Sequence, residues 1–217
     1  MIAVDGTSGS GKSSTSRRVA EALGLAYLDT GSMYRAETWW MLSHDVDTSS
    51  EVAVAEKASA STIEVGTDPL APVILLDGVD VSEPIRSDAV NAHVSLVARV
   101  PAVRARMVQL QRDCISKAGH GIVVEGRDIG SVVCPEADLK VYLTADPEAR
   151  AARRALEDGG ADVAATEASL AARDAIDSTR TTAPLLQADG AVRVDSTYLT
   201  LDEVVTHILD LVAGLPR

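Results

Sequence analysis

Residues 2–15 read "IAVDGTSGSGKSST", a short apolar run that turns directly into glycine, serine and one lysine. Gly6, four intervening residues, then Gly11-Lys12-Ser13 match G-x-x-x-x-G-K-[ST], a loop whose backbone N–H groups cradle nucleotide phosphates. The apolar run before it is a strand, and the helix that follows starts near Lys12 and aims its positive end at the same spot. Lys12 has the reach for the β- and γ-phosphates, and the Ser13 hydroxyl is a candidate Mg²⁺ ligand. Thr7, Ser8, Gly9, Ser10 and Ser14 complete the phosphate-binding set.

Further strands are expected at 26–28, 121–125, 139–143 and 191–195, all short and apolar as strands buried on both faces should be. Helical patterns separate them, so the fold class is α/β with a parallel sheet and right-handed crossovers. The first helix should run from Lys12 to Leu23 and stop at Gly24. Pro101 opens another, whose Val103, Met107, Leu110 and Cys114 form a core stripe. Thr200 and Glu203 make a capping box before the last. About ninety residues separate the second and third core strands, more than one crossover needs. Within them "PVILLDGVDV" holds a tight-hairpin signal at Asp77-Gly78, and with 61–65 it predicts a small antiparallel sheet near 60–82.

The net charge of −12 argues against a nucleic-acid polymer as partner, which would need a basic face. No apolar run approaches the ~20 residues of a membrane helix, and no leader precedes the first strand, so a cytoplasmic enzyme is expected. Cys114 and Cys134 match no metal spacing and are expected to be reduced. His44, His93, His120 and His207 match none either. The single asparagine, Asn91, is not followed by lysine, so the guanine-reading N-K-x-D of a regulatory GTPase is missing.

Arginine makes up 16 of the 20 basic residues, and three arginine-bearing stretches narrow the chemistry. They are "LDTGSMYR" (28–35), "VVEGRDIG" (123–130) and "RDAIDSTRTTAPL" (173–185), the first two at strand C-terminal ends, where ligands sit in open parallel sheets. With the phosphate loop and "VDSTYLTLDEVV", these stretches resemble bacterial cytidylate kinases, P-loop nucleoside monophosphate kinases, over nearly the whole chain. The resemblance implies one kinase domain over 1–217, with strand order 2-3-1-4-5. It also implies a CMP-binding side over about 30–118 carrying the small inserted sheet, and a helical lid near 155–168. It implies transfer of the γ-phosphoryl of ATP to CMP or dCMP with Mg²⁺, by a monomer.

Carried over by position, the resemblance gives Arg35 and Arg127 to the CMP phosphate, with Thr30 as a further donor. Arg180 falls between the two nucleotides. Ser95, Arg104 and Asp128 read cytosine, Tyr34 lines the base pocket, and Arg173 and Asp177 lie near the sugar. Arg150, Arg153 and Arg154 close over ATP phosphates. Lys12, Arg127 and Arg180 form the catalytic set, and Glu125 holds a metal-bound water where an aspartate is more usual. Ile176 and Ser178 replace arginines found in some relatives, which leaves a leaner phosphate clamp. Two alternatives stand beside this reading. One is a P-loop kinase of UMP, shikimate or gluconate; the other is a non-catalytic ATP-binding regulatory module.

Overall fold

A computed structural model describes residues 1–157 and 159–215, so Asp158, within the expected lid stretch, and Pro216 and Arg217 lie outside the described residues. Five parallel strands form the central sheet: β1 (Ile2–Gly6), β2 (Ala26–Asp29), β6 (Ile122–Gly126), β7 (Leu139–Thr144) and β8 (Val192–Asp195). Their spatial order is β2-β6-β1-β7-β8, with Ile2 opposite Val123 on one side and Leu139 on the other. Counted within this sheet alone, that is 2-3-1-4-5; the missing numbers belong to the insert.

Alternation along the strands divides the core in two. Ile2, Val4, Val123, Val141 and Leu143 pack toward α1 (Lys12–Leu23) and α8 (Leu201–Ala213). Ala3, Leu28, Ile122 and Val124 pack on the other face with Met33 and Met41 of α2 (Thr30–Ser43) and Val103 and Met107 of α5 (Pro101–Ser116). Both faces are covered, which is why the strand sequences show little polar alternation.

Local signals account for the element ends. Gly24 takes a left-handed conformation at φ 63° and ends α1, since glycine lacks the Cβ that penalises it there. Pro101 stands at the start of α5, where its missing N–H costs nothing. Thr200 and Glu203 close the expected reciprocal cap of α8.

The insert is a three-stranded antiparallel sheet of β3 (Ile63–Val65), β4 (Ile74–Leu76) and β5 (Val79–Asp80). Asp77 and Gly78 both have positive φ, 50° and 79°, as a tight hairpin turn requires. The indole N–H of Trp40 donates to the Asp77 carboxylate at 3.1 Å, tying this hairpin to α2. The helix α3 (Glu51–Lys57), a 3-10 turn Pro84–Arg86 and α4 (Asp88–Ala98) complete the region between β2 and α5. On the other flank, α6 (Pro147–Glu157) and α7 (Val163–Thr179) form an antiparallel pair next to the phosphate-binding loop. No helix among the described residues is long and apolar enough to cross a membrane.

Candidate active site

The loop between β1 and α1 owes its form to two glycines with different jobs. A Cβ on Gly6 would lie 1.9 Å from the Leu143 carbonyl oxygen, so close packing of β1 on β7 demands glycine there. Gly11 caps α1 at φ 87° with no side-chain cap, leaving the first-turn N–H groups open to an anion. Lys12 donates from Nζ to the Thr7 carbonyl at 2.6 Å. Burial, then the nearby Arg127 charge, holds the Lys12 pKa below the usual lysine range, a bias that an arriving phosphate reverses. The Ser10 hydroxyl donates to the same Thr7 carbonyl at 3.0 Å.

Below Lys12 lies Glu125, the fourth residue of β6 and 3% exposed. Its carboxylate accepts from the Tyr27 hydroxyl at 2.5 Å and lies close to Ser13. Burial and the neighbouring Asp29 push its pKa up. No cluster of three metal-ligating side chains forms among the described residues. The hard oxygens of Ser13 and Glu125 therefore suit a cation that arrives with phosphate oxygens and waters of its own, as Mg²⁺ does.

Across the cavity stands a group of arginines. Arg35, 6% exposed, donates to the Ile85 carbonyl at 3.0 Å and to Asn91 Oδ1 at 2.8 Å, and no carboxylate pairs with it among the described residues. Burial, then the charges of Arg173 and Arg86, lowers its pKa, so this corner is short of negative charge. Arg173 is shifted down by burial and by Arg127, and its Nε has no partner. Arg127 donates to the Gly6 carbonyl and the Ser8 hydroxyl, and pairs through Nε with Asp177 at 3.0 Å. A buried Arg cluster of this kind has the chemistry to hold an anion.

Deeper in, Asp128 is ion-paired to Arg104 and lies 3.8 Å from Arg180, with all three side chains at most 6% exposed. Burial still outweighs the two guanidiniums and pushes the Asp128 pKa up. The Arg104 guanidinium also sits 5.7 Å from the centre of the Tyr34 ring. Ser95 lies beside them on α4. One cavity of about 350 Å³ is lined by Ser8 to Ser14, Arg35, Arg173, Tyr34, Ser95, Arg104, Arg127, Asp128, Asp177 and Arg180 together.

A family model described as cytidylate kinase matches residues 2–214. The chain belongs to the cytidylate kinase family. A cytidylate kinase of Streptomyces avermitilis is 55% identical over 212 residues, covering 98% of this chain and 92% of that protein. One of Nocardia farcinica is 50% identical over 217 residues, covering 98% and 93%. Membership makes the chain a phosphotransferase of the cytidylate kinase type. Among solved structures, a gluconokinase of Sinorhizobium meliloti superposes with TM-score 0.51 at 16% identity, covering 98% of this chain and 90% of that one. A shikimate kinase of Acinetobacter baumannii gives 0.50 at 15%, covering 98% and 92%. At such identities these neighbours show the P-loop kinase fold alone, and the acceptors of the alternative reading are not favoured.

Set against the family pattern, most expected site residues line this cavity; Gly6 and Thr7, at the base of the loop, do not, and three further residues do not behave as expected. The Arg153 guanidinium points away from the cavity and donates to Ser196 Oγ at 3.0 Å and to the carbonyls of Ser196, Thr197 and Leu199. Both of its terminal nitrogens are engaged there, so it braces the turn after β8. Arg150 is 8% exposed and lies under the loop, donating to the Ser8 carbonyl at 2.9 Å and pairing with Asp174. Only Arg154 of the three lines the cavity. Thr30 lines it too, but its hydroxyl donates to the Glu125 carbonyl at 2.7 Å, and a hydroxyl has one donor. In this structure Thr30 ties β2 to β6.

Four supporting carboxylates and amides escaped the sequence reading. Asp5, 3% exposed, accepts from the N–H groups of Ile129 and Gly130 at 2.8 Å each, holding the turn that follows Arg127-Asp128. Asp29 caps α2 through Ser32 N at 3.0 Å and pairs with Arg86 at 3.1 Å. Asn91 orients Arg35, and Asp174 takes the Ser8 N–H at 2.9 Å. Apart from the local Asp29–Ser32 cap, their partners lie far along the chain, and no local spacing announces such pairs.

Proposed function

We propose that this chain transfers the γ-phosphoryl group of ATP to CMP or dCMP, with Mg²⁺ accompanying the ATP. The observation that carries the reading is a single cavity in which the phosphate-binding loop faces a carboxylate–guanidinium pair, Asp128 with Arg104. Cytosine offers an exocyclic amine donor beside ring-nitrogen and carbonyl acceptors. Asp128 accepts from the amine, and Arg104 and Ser95 donate to the acceptors. Uracil turns O4 toward the carboxylate and a ring N–H toward the donors, which leaves buried polar groups unpaired.

In the transfer, the bond between the γ-phosphorus and its bridging oxygen breaks, and a bond to a CMP phosphate oxygen forms. Phosphoryl transfer asks mainly for alignment and charge stabilisation, so no general base is needed. Ser13 and Glu125 are the residues that would hold Mg²⁺, which would supply charge neutralisation for the phosphates when bound. Lys12 and the open N–H groups of α1 hold the donor phosphates. Arg35 and Arg127 hold the acceptor phosphate, with Arg173 and Asp177 near the sugar, and Arg180 lies between the phosphoryl donor and acceptor. Arg127 exchanges its present carbonyl and hydroxyl partners for phosphate oxygens. The pair α6–α7 acts as the lid, with Arg154 on its cavity side, and excludes water. Residues 30–118 form the acceptor side. The enzyme is taken to act as a monomer in a reducing cytoplasm, which the free Cys114 and Cys134 suit.

The test is coupled ADP release from ATP with CMP, dCMP, UMP, AMP and shikimate side by side. Turnover with CMP and dCMP is expected to exceed that with UMP by at least about a hundredfold. Absence of acceptor-dependent turnover despite ATP binding overturns the reading.

A further inference from the structure

Ser8, the third residue of the phosphate-binding loop, is 3% exposed, and each of its polar groups is engaged by a charged side chain from a different element. Its N–H donates to Asp174 Oδ1 of α7 at 2.9 Å. Its carbonyl accepts from Arg150 Nη1 of α6 at 2.9 Å. Its hydroxyl accepts from Arg127 Nη2, beyond β6. Arg150 and Asp174 are also ion-paired to one another, with side chains 9% and 13% exposed. Next along the loop, a Cβ on Gly9 would come within 3.1 Å of both the Arg150 carbonyl oxygen and Leu170 Cδ1, so α6 and α7 rest directly on it.

Fixing both the N–H and the C=O of one residue fixes the two peptide planes that meet at its Cα. Those planes lead straight into Gly9–Lys12, where the N–H groups facing a phosphate lie. A glycine-rich segment left loose would lose about 1–2 kcal/mol of backbone entropy per residue on ordering. Ordering it beforehand raises affinity by removing that cost from the binding step. The two residues doing this sit one on each helix of the α6–α7 pair. Asp174 also accepts the Ser8 N–H in place of any ligand oxygen, so its carboxylate belongs to the frame of the cradle.

We infer that Asp174, together with Arg150, is a positioning residue that orients the Ser8 peptides and so couples the seating of α6–α7 to binding of the ATP phosphates. The inference rests on Gly6–Ser13 being the ATP cradle. It separates ATP from CMP, because Asp174 and Arg150 hold Ser8 of the phosphate loop and line no part of the cavity themselves.

The experiment compares wild type with Asp174→Ala, which removes both contacts, and Asp174→Asn, which keeps an acceptor for Ser8 N–H but loses the charge. KM for ATP and for CMP, kcat, melting temperature and Ser8 amide exchange by NMR are recorded without further change. In Asp174→Ala, KM for ATP is expected to rise about tenfold or more while KM for CMP stays within about twofold. Its Ser8 amide is expected to exchange at least about tenfold faster in the nucleotide-free enzyme. Asp174→Asn should fall between, with ATP KM raised about threefold or more and Ser8 protection largely kept. An ATP KM within about twofold of wild type, or CMP KM rising as much as ATP KM, overturns the inference whatever the melting temperature does. If Asp174→Ala does not fold, Asp174→Asn decides by the same split. Failure of wild type to turn over any acceptor would instead defeat the kinase reading, so the two failures are distinct.

Discussion

Replacing Asp128 by alanine removes the one carboxylate that faces both Arg104 and Arg180. The side chains of those arginines are 3% and 4% exposed, so water entering from the cavity replaces the lost partner only in part. Breaking a buried pair from one side costs about 3–5 kcal/mol, because a buried charge is left uncompensated. For a domain of this size that corresponds to a melting temperature lower by roughly 6–20 °C. The effect on selectivity is separate. CMP loses the acceptor for its amine, while UMP loses the repulsion between O4 and a carboxylate. A polar base contact of this type discriminates by about 1–3 kcal/mol, which is roughly a 5- to 150-fold fall in the ratio of kcat/KM for CMP over UMP. Coupled ADP release with both nucleotides, below the variant's melting transition, measures that ratio. Asp128→Asn keeps the shape and one acceptor, and it should lose selectivity with a smaller loss of stability. An unchanged ratio in the alanine variant would refute the assignment of Asp128 as a reader of cytosine, even with the expected thermal cost.

Arg127→Ala deletes a charge aimed at the transferring phosphate and should lower kcat about 10²- to 10³-fold, with near wild-type turnover sinking its catalytic role. Arg153→Ala should lower the melting temperature by several degrees through lost bonds to the 196–199 turn, leaving ATP KM within about threefold. A rise of about tenfold in ATP KM would return Arg153 to the ATP site. Burial raises the Asp5 pKa from 3.8 to about 6, so the folded chain holds this proton between those values while the unfolded chain releases it. The group's contribution to stability therefore falls as pH rises from about 4 to 6, by about 3 kcal/mol in all. Urea unfolding of wild type and Asp5→Asn across that range should show wild type losing ground to the variant as pH rises. A pH-independent difference would show that Asp5 does not carry this titration.

Much of the frame was legible because its signals are local. The loop and first helix follow from Gly6 to Lys12, the hairpin from Asp77-Gly78, and the last cap from Thr200 and Glu203. The helices α3 and α4 were not read, since their short apolar patterns depend on what they pack against. In the site, the arginines stood out because several fall at strand ends. Arg153 was assigned with Arg150 and Arg154 from one helix stretch, yet the three point to different places, and rotation about a helix axis follows packing. The carboxylates that support the site went unseen for a related reason: Asp5 and Asp174 bond to backbone N–H groups 124 and 166 positions away.

Alone, the amino-acid sequence determined the α/β class, the phosphate-binding loop and the small inserted sheet, because turn chemistry, capping and apolar periodicity act over a few residues. Its motif residues, by their resemblance to a family, also determined the expected chemistry. The place of β1 between β6 and β7 was expected only through that resemblance, and the tertiary structure decided how it carries Arg127 and Asp128 to the mouth of the loop. It likewise decided which charges face the cavity and which brace its walls. Burial and pairing energies depend on distance in space, and the chain brings those distances into being only when its sheet and helices close around one core.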